Sequence, residues 1–426
     1  MEPKRPRPPT SPTPAQPPSH DVSKVLDDDN LLCEIIVRLA FPTDLVRAAL
    51  VSKRWLGHAS DPAFLRRFRK LHPLRPLGFY VATAGGTTAP RFVQMPSQHP
   101  ELAAVCRRGR FELDSFIWDC TNGSVIIISE QGGNGLTSRV YSPLFPSRSM
   151  PVVPELPPLD HVTPANYTFE KLLFREGDRS GLPYLWLLMQ SIDHGYTVHV
   201  YMLQGGVWSK HTSATTEFPY LPSEPKPLLI DNKIYMAGAL SRQNIVLADN
   251  TRCVAAILRG ILVVDLKDSS FFTIQLPEGV EFLDRDVQLA KTDDDSGVYL
   301  IQLKDLKLRI WLHSSSTSNW SLVDTVCLRE MFVALRTADH TVGDEHTLVR
   351  MKEAGDNAEF IVLVMGTSIL YLDIKRRELL KVSDLTAHEQ FFVHIYPFMM
   401  VWPPTFPAPK DAAARSARDK GAIKEE

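Results

Sequence analysis

Three short clusters contain residue types that could bind a metal ion or a cofactor, but none has the spacing that such chemistry requires. The segment 293–297, Asp-Asp-Asp-Ser-Gly, is similar to part of a calcium loop, yet Lys304 occupies the position of its bidentate glutamate. His388 and His394 are six residues apart, whereas a helical zinc site has histidines at i and i+4. The glycines of 132–135 lack the third glycine and the following helix of a dinucleotide fingerprint. We therefore predict turns or loops at these places, and neither a metal nor a cofactor.

Nucleophilic catalysis also lacks a recognisable motif. The sequence has no G-x-S-x-G element, which positions the serine of many hydrolases. The five cysteines are widely separated and contain no C-x-x-C pair, so we interpret them as reduced thiols rather than as disulfides or zinc ligands. They are Cys33, Cys106, Cys120, Cys253 and Cys327. No catalytic residue is therefore identified by a motif.

Length and composition are those of an ordinary globular protein with more than one domain. The chain has 426 residues, of which 44% are hydrophobic and 23% charged, and one domain per about 150 residues gives two to three domains. The 47 basic and 49 acidic side chains argue against a nucleic-acid-binding or a membrane-surface protein, because both need a dominant positive charge. The longest apolar stretch, 360–372, is shorter than the roughly 20 residues of a membrane span. Since a signal-peptide pattern is also lacking, we expect a cytoplasmic and/or nuclear protein.

Both ends of the chain have the composition of disordered tails. Residues 1–20 contain eight prolines and lack the apolar side chains that would offset the entropy of ordering. Residues 408–426 are rich in charge and contain no aromatic residue. We predict that neither tail folds, and that the ordered domains lie between them.

Residues 21–72 have the periodicity of a small all-α domain. The aspartates at 27–29 give a helix start signal, and apolar residues then recur on one face of the helix. These apolar residues are Leu32, Ile35, Ile36 and Leu39. Pro42 ends this helix, Thr-Asp at 43–44 caps a second helix, and Asp-Pro at 61–62 starts a third. Three helices in about 50 residues cannot bury all their apolar surface, so we expect part of it to serve as an interaction surface.

From residue 77 onward the pattern changes to short strands separated by turn residues. One hairpin, two apolar strands around a polar turn, recurs six times. Its anchor positions are 80, 141, 201, 264, 311 and 372, separated by 61, 60, 63, 47 and 61 residues. Four-stranded propeller blades repeat at about 40–50 residues, and more with insertions. We therefore predict an all-β propeller-like domain of about six to eight blades over 77–407, with one short helix at 324–335. A pair of β-sandwiches is the alternative.

The helical segment closely resembles an F-box in the order of its elements. Residues 26–39 resemble the leucine-rich first helix, 45–55 the second helix with its V-x-[KR]-x-W element, and 61–68 the third helix. Two positions depart from the family pattern. Asp27 replaces the proline that often follows the first leucine, and Ser52 replaces a frequent cysteine. Neither change removes an apolar contact.

The rest of the chain is similar to the degenerate β-propeller that follows the F-box in a group of plant proteins. The stretches 119–123, 140–143 and 156–158 look like the opening blade of that associated domain. The ending at 401–407, Val-Trp-Pro-Pro-Thr-Phe-Pro, is also similar. The resemblance therefore covers both predicted domains.

The resemblance implies partners rather than a reaction. An F-box docks on a Skp-type adaptor, which joins it to a cullin–RING ubiquitin ligase, and the second domain holds a protein target for ubiquitination. The chain would then be the substrate-recognition subunit of an SCF-type ligase, without catalytic residues or cofactors. The residues expected to contact the adaptor, or to support that contact directly, are Leu26, Leu32, Ile35, Ile36, Leu39, Leu45, Val46, Val51 and Trp55.

Two other functions stay open at this point. A propeller scaffold could engage the adaptor and bind partners without ubiquitin transfer. An enzyme or sugar-binding propeller would instead bring together acidic, basic and aromatic side chains on one face of the ring. Neither the target nor the target-binding loops are identified by the sequence, because loops of one propeller face cannot be placed from the hairpin pattern.

Overall fold

The computed structural model contains two compact units. One comprises Met1–Pro73 together with Trp402–Glu426, and the other comprises Leu74–Val401. The predicted disordered tails, 1–20 and 408–426, lie outside the residues that the structure describes. The described residues are 25–73, 76–83, 89–96, 99–131, 135–146, 151–155, 167–174, 184–192, 195–215, 226–246, 252–278, 282–283, 286–292, 295–315, 318–338, 348–386, 389, 393–404 and 406.

The first unit is helical, as predicted, and two of its helices start at the predicted aspartates. Its helices are α1 (Asp29–Ile36), α2 (Pro42–Ala49), α3 (Lys53–Ala59) and α4 (Pro62–Leu71). The Asp28 carboxylate accepts from the amides of Asn30 and Leu31, at 2.8 and 3.1 Å. Asp61 likewise accepts from the amide of Phe64 at 2.8 Å. These side chains satisfy amide groups that the first turn of a helix leaves without partners.

The middle of this unit differs from the prediction. α2 begins at Pro42, with Phe41 at the capping position, and is not capped by residues 43–44. Proline suits the first turn because its fixed φ is already helical and its missing N–H is not needed there. A separate helix, α3, follows Ser52, whose hydroxyl accepts from the amide of Trp55 at 3.2 Å. The described residues of the unit therefore contain these four helices and a helical stretch at 25–27, rather than the predicted three helices.

The core of the helical unit contains residues from two distant parts of the sequence. Its buried members are Leu32, Ile36, Val37, Leu45, Ala49, Ala59, Phe64 and Phe68. Trp402 and Phe406, from the carboxyl-terminal segment, pack against this core. The predicted propeller range of 77–407 includes that segment, whereas its contacts group it with the helices. The physical reason is that its two aromatic rings find apolar partners there.

The second unit consists of six antiparallel sheets among its described residues, which we call blades 1 to 6. Blade 1 contains β1 (Pro76–Thr83), β2 (Arg91–Gln94) and β24 (Val393–Met399). Blade 2 contains β3 (Phe116–Thr121), β4 (Ser124–Gln131), β5 (Gly135–Tyr141) and β6 (Val152–Val153), and blade 3 contains β7 (Tyr167–Phe174), β8 (Tyr184–Ile192), β9 (Gly195–Gln204) and β10 (Val207–Thr215). Blade 4 contains β11 (Leu228–Ile230), β12 (Lys233–Val246), β13 (Arg252–Asp265), β14 (Ser270–Gln275) and β15 (Phe282–Leu283). Blade 5 contains β16 (Val287–Lys291), β17 (Gly297–Lys304), β18 (Lys307–Ser314) and β19 (Trp320–Cys327), and blade 6 contains β20 (Val349–Ala354), β21 (Phe360–Met365), β22 (Ser368–Asp373) and β23 (Glu378–Asp384).

The predicted repeat is confirmed, because each of the six hairpins lies in a different blade. In blade 1, for example, Tyr80 is paired with Phe92, and in blade 6 Leu372 is paired with Leu379. The prediction of six to eight blades is therefore confirmed with six. The alternative of paired sandwiches is wrong.

Blade 1 closes the ring, because it joins the two ends of the second unit. Its strands β1 and β2 come from the start of the unit, and β24 comes from the end. Tyr80 of β1 lies opposite Tyr396 of β24. Such closure leaves only the short outer edge of each blade without a neighbour.

The described residues of the second unit also form two α-helices, α5 (Pro100–Arg108) and α6 (Arg329–Ala338). The helix predicted at 324–335 is thus correct only in its second half. Asp324 and Cys327 lie in β19 and pair with Ile310 and Lys307 of β18, because an edge strand there completes blade 5. α5 was not predicted, since its buried pair Leu102 and Cys106 gives too short an apolar pattern.

The core of the second unit lies between neighbouring blades. Buried side chains of blades 5 and 6 form one shared cluster, and similar clusters join blades 3 and 4, blades 1 and 6, and blades 2 and 3. Strands in the middle of a blade, such as β8, β21 and β22, therefore bury side chains on both faces of their sheet, which explains the wholly apolar runs in the sequence. None of the helices within the described ranges has the length and apolar character to cross a membrane.

Candidate functional site

Helix α1 is apolar on two faces. Leu32 and Ile36 are 0% and 1% exposed and belong to the core, whereas Leu31 and Ile35 are 45% and 42% exposed. Leu31 and Ile35 are four residues apart, so they lie on the same face of the helix. Exposed branched side chains that lie side by side are stabilised when a partner removes them from water. This face of α1 is a candidate surface for a protein partner.

A second exposed apolar pair follows α2. Leu50 and Val51 are 64% and 63% exposed, while Leu45 and Ala49, on the inner face of α2, are buried. The pair directly precedes Ser52, where α3 is capped. We call Leu31, Ile35, Leu50 and Val51 the exposed apolar set.

The structure divides the nine predicted adaptor-binding residues into three groups. Ile35 and Val51 are exposed and can contact a partner directly. Buried in the core are Leu32, Ile36 and Leu45, so they can only support such a contact. Half-buried are Leu26, Leu39, Val46 and Trp55. Sequence reasoning missed Leu31 and Leu50, although the spacing of Leu31 from Ile35 is a helical signal that could have found it.

Arg54 fixes the start of α1 against α3. Its guanidinium donates to an Asp29 carboxylate oxygen at 2.7 Å, and to the carbonyl oxygens of Leu26 and Asp27 at 2.7 and 2.6 Å. His58, one turn later, lies 2.9 Å from the same Asp29 oxygen. The hydrogen bond from Arg54, and then that from His58, hold the pKa of the Asp29 carboxyl below its usual range. The predicted motif singled out the neighbouring Lys53 and Trp55, and it missed this role of Arg54.

Helix α4 is joined to α1 by polar contacts as well as by the core. Arg67 donates to Glu34 at 2.5 Å, and the His72 ring nitrogen lies 2.7 Å from the carbonyl oxygen of Val37. The sequence pattern of the basic residues Arg66, Arg67, Arg69 and Lys70 around Phe68 predicts a solvated helix face rather than a phosphate contact. That interpretation is wrong for Arg69, which is only 8% exposed. Charge on α4 therefore helps to hold the helices together.

Two lysines of the second unit are paired with carboxylates of other blades. Lys171 in β7 lies 3.2 Å from the Asp119 carboxylate in β3, and Lys226 lies 3.0 Å from the Glu353 carboxylate in β20. These pairs link different blades. The lysines are thus engaged by carboxylates of the protein itself, which favours a structural role for them over a role in binding a charged ligand.

Cys120, next to Asp119, does not have the character of a catalytic thiol. Burial, followed by the charge of Asp119, raises the pKa of its thiol, whereas a nucleophilic cysteine needs a lowered pKa. No three histidine, cysteine, aspartate or glutamate side chains are grouped to hold a metal ion within the described part of the chain. Of the clusters considered in the sequence, 132–134, 293–294 and His388 lie outside it.

Two family models match the chain, one for each unit. An F-box-like model matches residues 29–70, and a model described as F-box protein AT5G49610-like, beta-propeller, matches residues 116–406. The second match alone covers more than half of the chain. No curated protein was found to match.

Solved structures with a similar backbone include three of low identity. A chain of the nidogen/laminin complex is 9% identical, with a TM-score of 0.36 over 75% of this chain and 97% of that chain. A functionally unknown protein from Desulfotomaculum acetoxidans is 11% identical, with a TM-score of 0.36 over 74% and 83%. A putative TolB from Agrobacterium tumefaciens is 11% identical, with a TM-score of 0.34 over 75% and 98%. All three TM-scores are below 0.5, so these similarities carry no argument.

Proposed function

Since this chain belongs to the F-box proteins with an AT5G49610-like β-propeller, we propose that it is the substrate-recognition subunit of an SCF-type cullin–RING ubiquitin ligase. The F-box-like domain implies binding to a Skp-type adaptor. Through that adaptor the chain would be joined to a cullin, while the propeller would bind a protein target. We place such a complex in the cytoplasm and/or the nucleus.

The mechanism requires no covalent chemistry on this chain. A receptor that holds a target beside a ubiquitin-charged enzyme raises the effective concentration of one for the other. The chain then needs two binding surfaces and a fold that keeps both. The architecture of a helical F-box region followed by a propeller is typical of such non-catalytic adaptor subunits.

The observation that carries the proposal is the exposed apolar set within the F-box-like segment. Leu31, Ile35, Leu50 and Val51 are between 42% and 64% exposed, although the same helices bury other apolar residues completely. An adaptor bound at this surface would cover these side chains and remove their apolar surface from water, which favours binding. All four lie within the residues that match the F-box-like model.

The test is co-expression with a Skp-type adaptor and size-exclusion chromatography of wild type and Ile35→Asp. Because Ile35 is exposed, the aspartate leaves the core intact and places a charge only in the proposed interface. A penalty of about 2 kcal/mol would lower the affinity roughly 30-fold. Val207→Asp, at a 68% exposed position of β10, is the matched control and should co-elute normally.

Two results would contradict the proposal: failure of the wild-type chain to bind the adaptor, or normal binding by Ile35→Asp. Circular dichroism of both variants checks that each remains folded. Co-purification of a cullin, and a longer lifetime of a partner after depletion of this chain, separate the ligase subunit from a scaffold that binds the adaptor without ubiquitin transfer.

A further inference from the structure

The carboxyl-terminal segment is the feature of the structure that the proposed function does not explain. Residues 402–406 fall within the match to the propeller family, yet they belong to the compact helical unit. Trp402 and Phe406 both pack against the helical core. The F-box-like match ends at residue 70 and therefore lacks two aromatic contributors to its own core.

Trp402 contacts the most deeply buried ring of the helical unit. Phe68 is 0% exposed, and its ring stacks on Trp402 with centroids 5.9 Å apart and planes at 14°. Phe68 also lies beside the rings of Phe64, at 6.4 Å, and His72, at 4.5 Å, both from the same stretch of chain. Removal of Trp402 would therefore open a gap on the side of the Phe68 ring on which Trp402 stacks.

Phe68 is connected to α1, which carries half of the exposed apolar set. Its neighbour His72 lies 2.7 Å from the carbonyl oxygen of Val37, directly after α1. Arg67 donates to Glu34 within α1 at 2.5 Å. Any loosening of α4 would therefore also release α1, and with it the position of Ile35.

We propose that Trp402 is a positioning residue for adaptor binding. It acts through Phe68 and α4 to hold α1, and it does not touch the adaptor itself. The F-box of this chain is thus completed by a segment from the far end of the sequence. This inference rests on the proposed function for the identity of the partner, but the packing role of Trp402 is independent of it.

The test measures two quantities on the full chain: the adaptor Kd, and amide hydrogen exchange in α1 and α4. The variants are Trp402→Ala, Trp402→Phe and a chain that ends after Val401. Trp320→Ala is one control, since this half-buried tryptophan of blade 5 donates to the Gln275 carbonyl oxygen at 2.7 Å, far in sequence from the helices. A chain that ends after Pro409 is the other, because it keeps both aromatic residues.

We expect Trp402→Ala and the chain ending at Val401 to exchange faster in α1 and α4 and to raise the adaptor Kd by about tenfold, a typical coupling between separated sites. Trp402→Phe should have an adaptor Kd and exchange rates in α1 and α4 close to those of the wild type, and the two controls should change neither. Unchanged exchange, or faster exchange with an unchanged Kd, would overturn the positioning role. If the wild-type chain does not bind the adaptor, the proposed function fails, whereas the exchange of α4 still decides whether Trp402 completes the core.

Discussion

The helical unit and the propeller differ in how much of their apolar surface they bury by themselves. The helices share one cluster of eight buried side chains and leave four apolar residues of the F-box-like segment open to solvent. In the propeller, blades 5 and 6 alone share a cluster of seventeen buried side chains. The first unit therefore exposes apolar side chains at a higher density: four in residues 29–70, against nine in the described residues of the much longer second unit.

The same difference appears in the charged contacts. The Asp29 carboxylate, which holds Arg54, is 64% exposed, so water and salt weaken the pair. In the propeller, the Glu389 side chain is only 8% exposed where it meets Arg91. The Asp29 pair can thus rearrange more readily when a partner binds than the pair that Glu389 forms with Arg91.

The largest effect should come from shortening one buried leucine side chain in the core of each unit. Leu32→Ala and Leu363→Ala both shorten a side chain that is 0% exposed, and each should cost about 2–5 kcal/mol of unfolding free energy. Hydrogen exchange resolved by segment should show the first loss in the helices and the second in blade 6. Because Leu32 supports Ile35, only Leu32→Ala should also weaken adaptor binding.

The two leucine variants control for each other, since the chemical change is identical. Faster exchange throughout the chain in both variants would show that the units unfold together. The view that the two units are stabilised independently would then be wrong.

An intermediate effect should come from Glu389→Gln. Burial raises the pKa of Glu389, but hydrogen bonds from Arg91 and from the Thr386 amide outweigh it and leave the pKa below its usual range. A carboxyl group with a lowered pKa stabilises the fold above its ordinary pKa of about 4.3, and that contribution disappears as the pH falls through the lowered value. The variant should therefore lose about 1–2 kcal/mol at neutral pH and match the wild type in strong acid.

Urea unfolding of the propeller as a function of pH measures this effect. Asp29→Asn in the helical unit is the comparison, because Asp29 is also paired with an arginine but is exposed. The loss of unfolding free energy in Asp29→Asn should be smaller than in Glu389→Gln, and it should decrease as salt is added. An equal loss that is insensitive to salt would remove the proposed difference between the two kinds of ion pair.

The sequence predicted both domains because each has a repeated or periodic apolar pattern. The six hairpin anchors follow from pairs of antiparallel strands that recur in every blade, such as β9 with β10. The starts of α1 and α4 follow from Asp28 and Asp61, since a capping side chain acts within three residues. Local chemistry of this kind can be read directly from the order of residues.

The details that escaped prediction depend on partners distant in the sequence. Trp402 follows β24, the last strand in the sequence, and only the folded structure places its ring on Phe68. The sequence also did not predict which side chains are exposed. Leu31 and Leu32 are both leucines, but only the packing of α1 shows that Leu32 is buried and Leu31 is not. Whether the predicted adaptor-binding residues bind an adaptor stays a prediction that the variants above will test.

The smallest effect, and one of opposite sign, should come from Gly57→Ala in α3. An alanine Cβ at this exposed helical position meets nothing within 4 Å. The substitution should therefore raise the free energy of unfolding by about 0.5–1 kcal/mol, because alanine has the higher helix propensity. Gly205→Ala is the matched control: it also has open space, but its φ of +58° in the β9–β10 turn disfavours a side chain, so it should destabilise the propeller. Thermal unfolding and segment-resolved exchange measure both. Slower exchange in α1 and α4, together with α3, would show that the helical unit behaves as one cooperative body; a change confined to α3 would show that α3 opens independently of the two helices through which Trp402 acts.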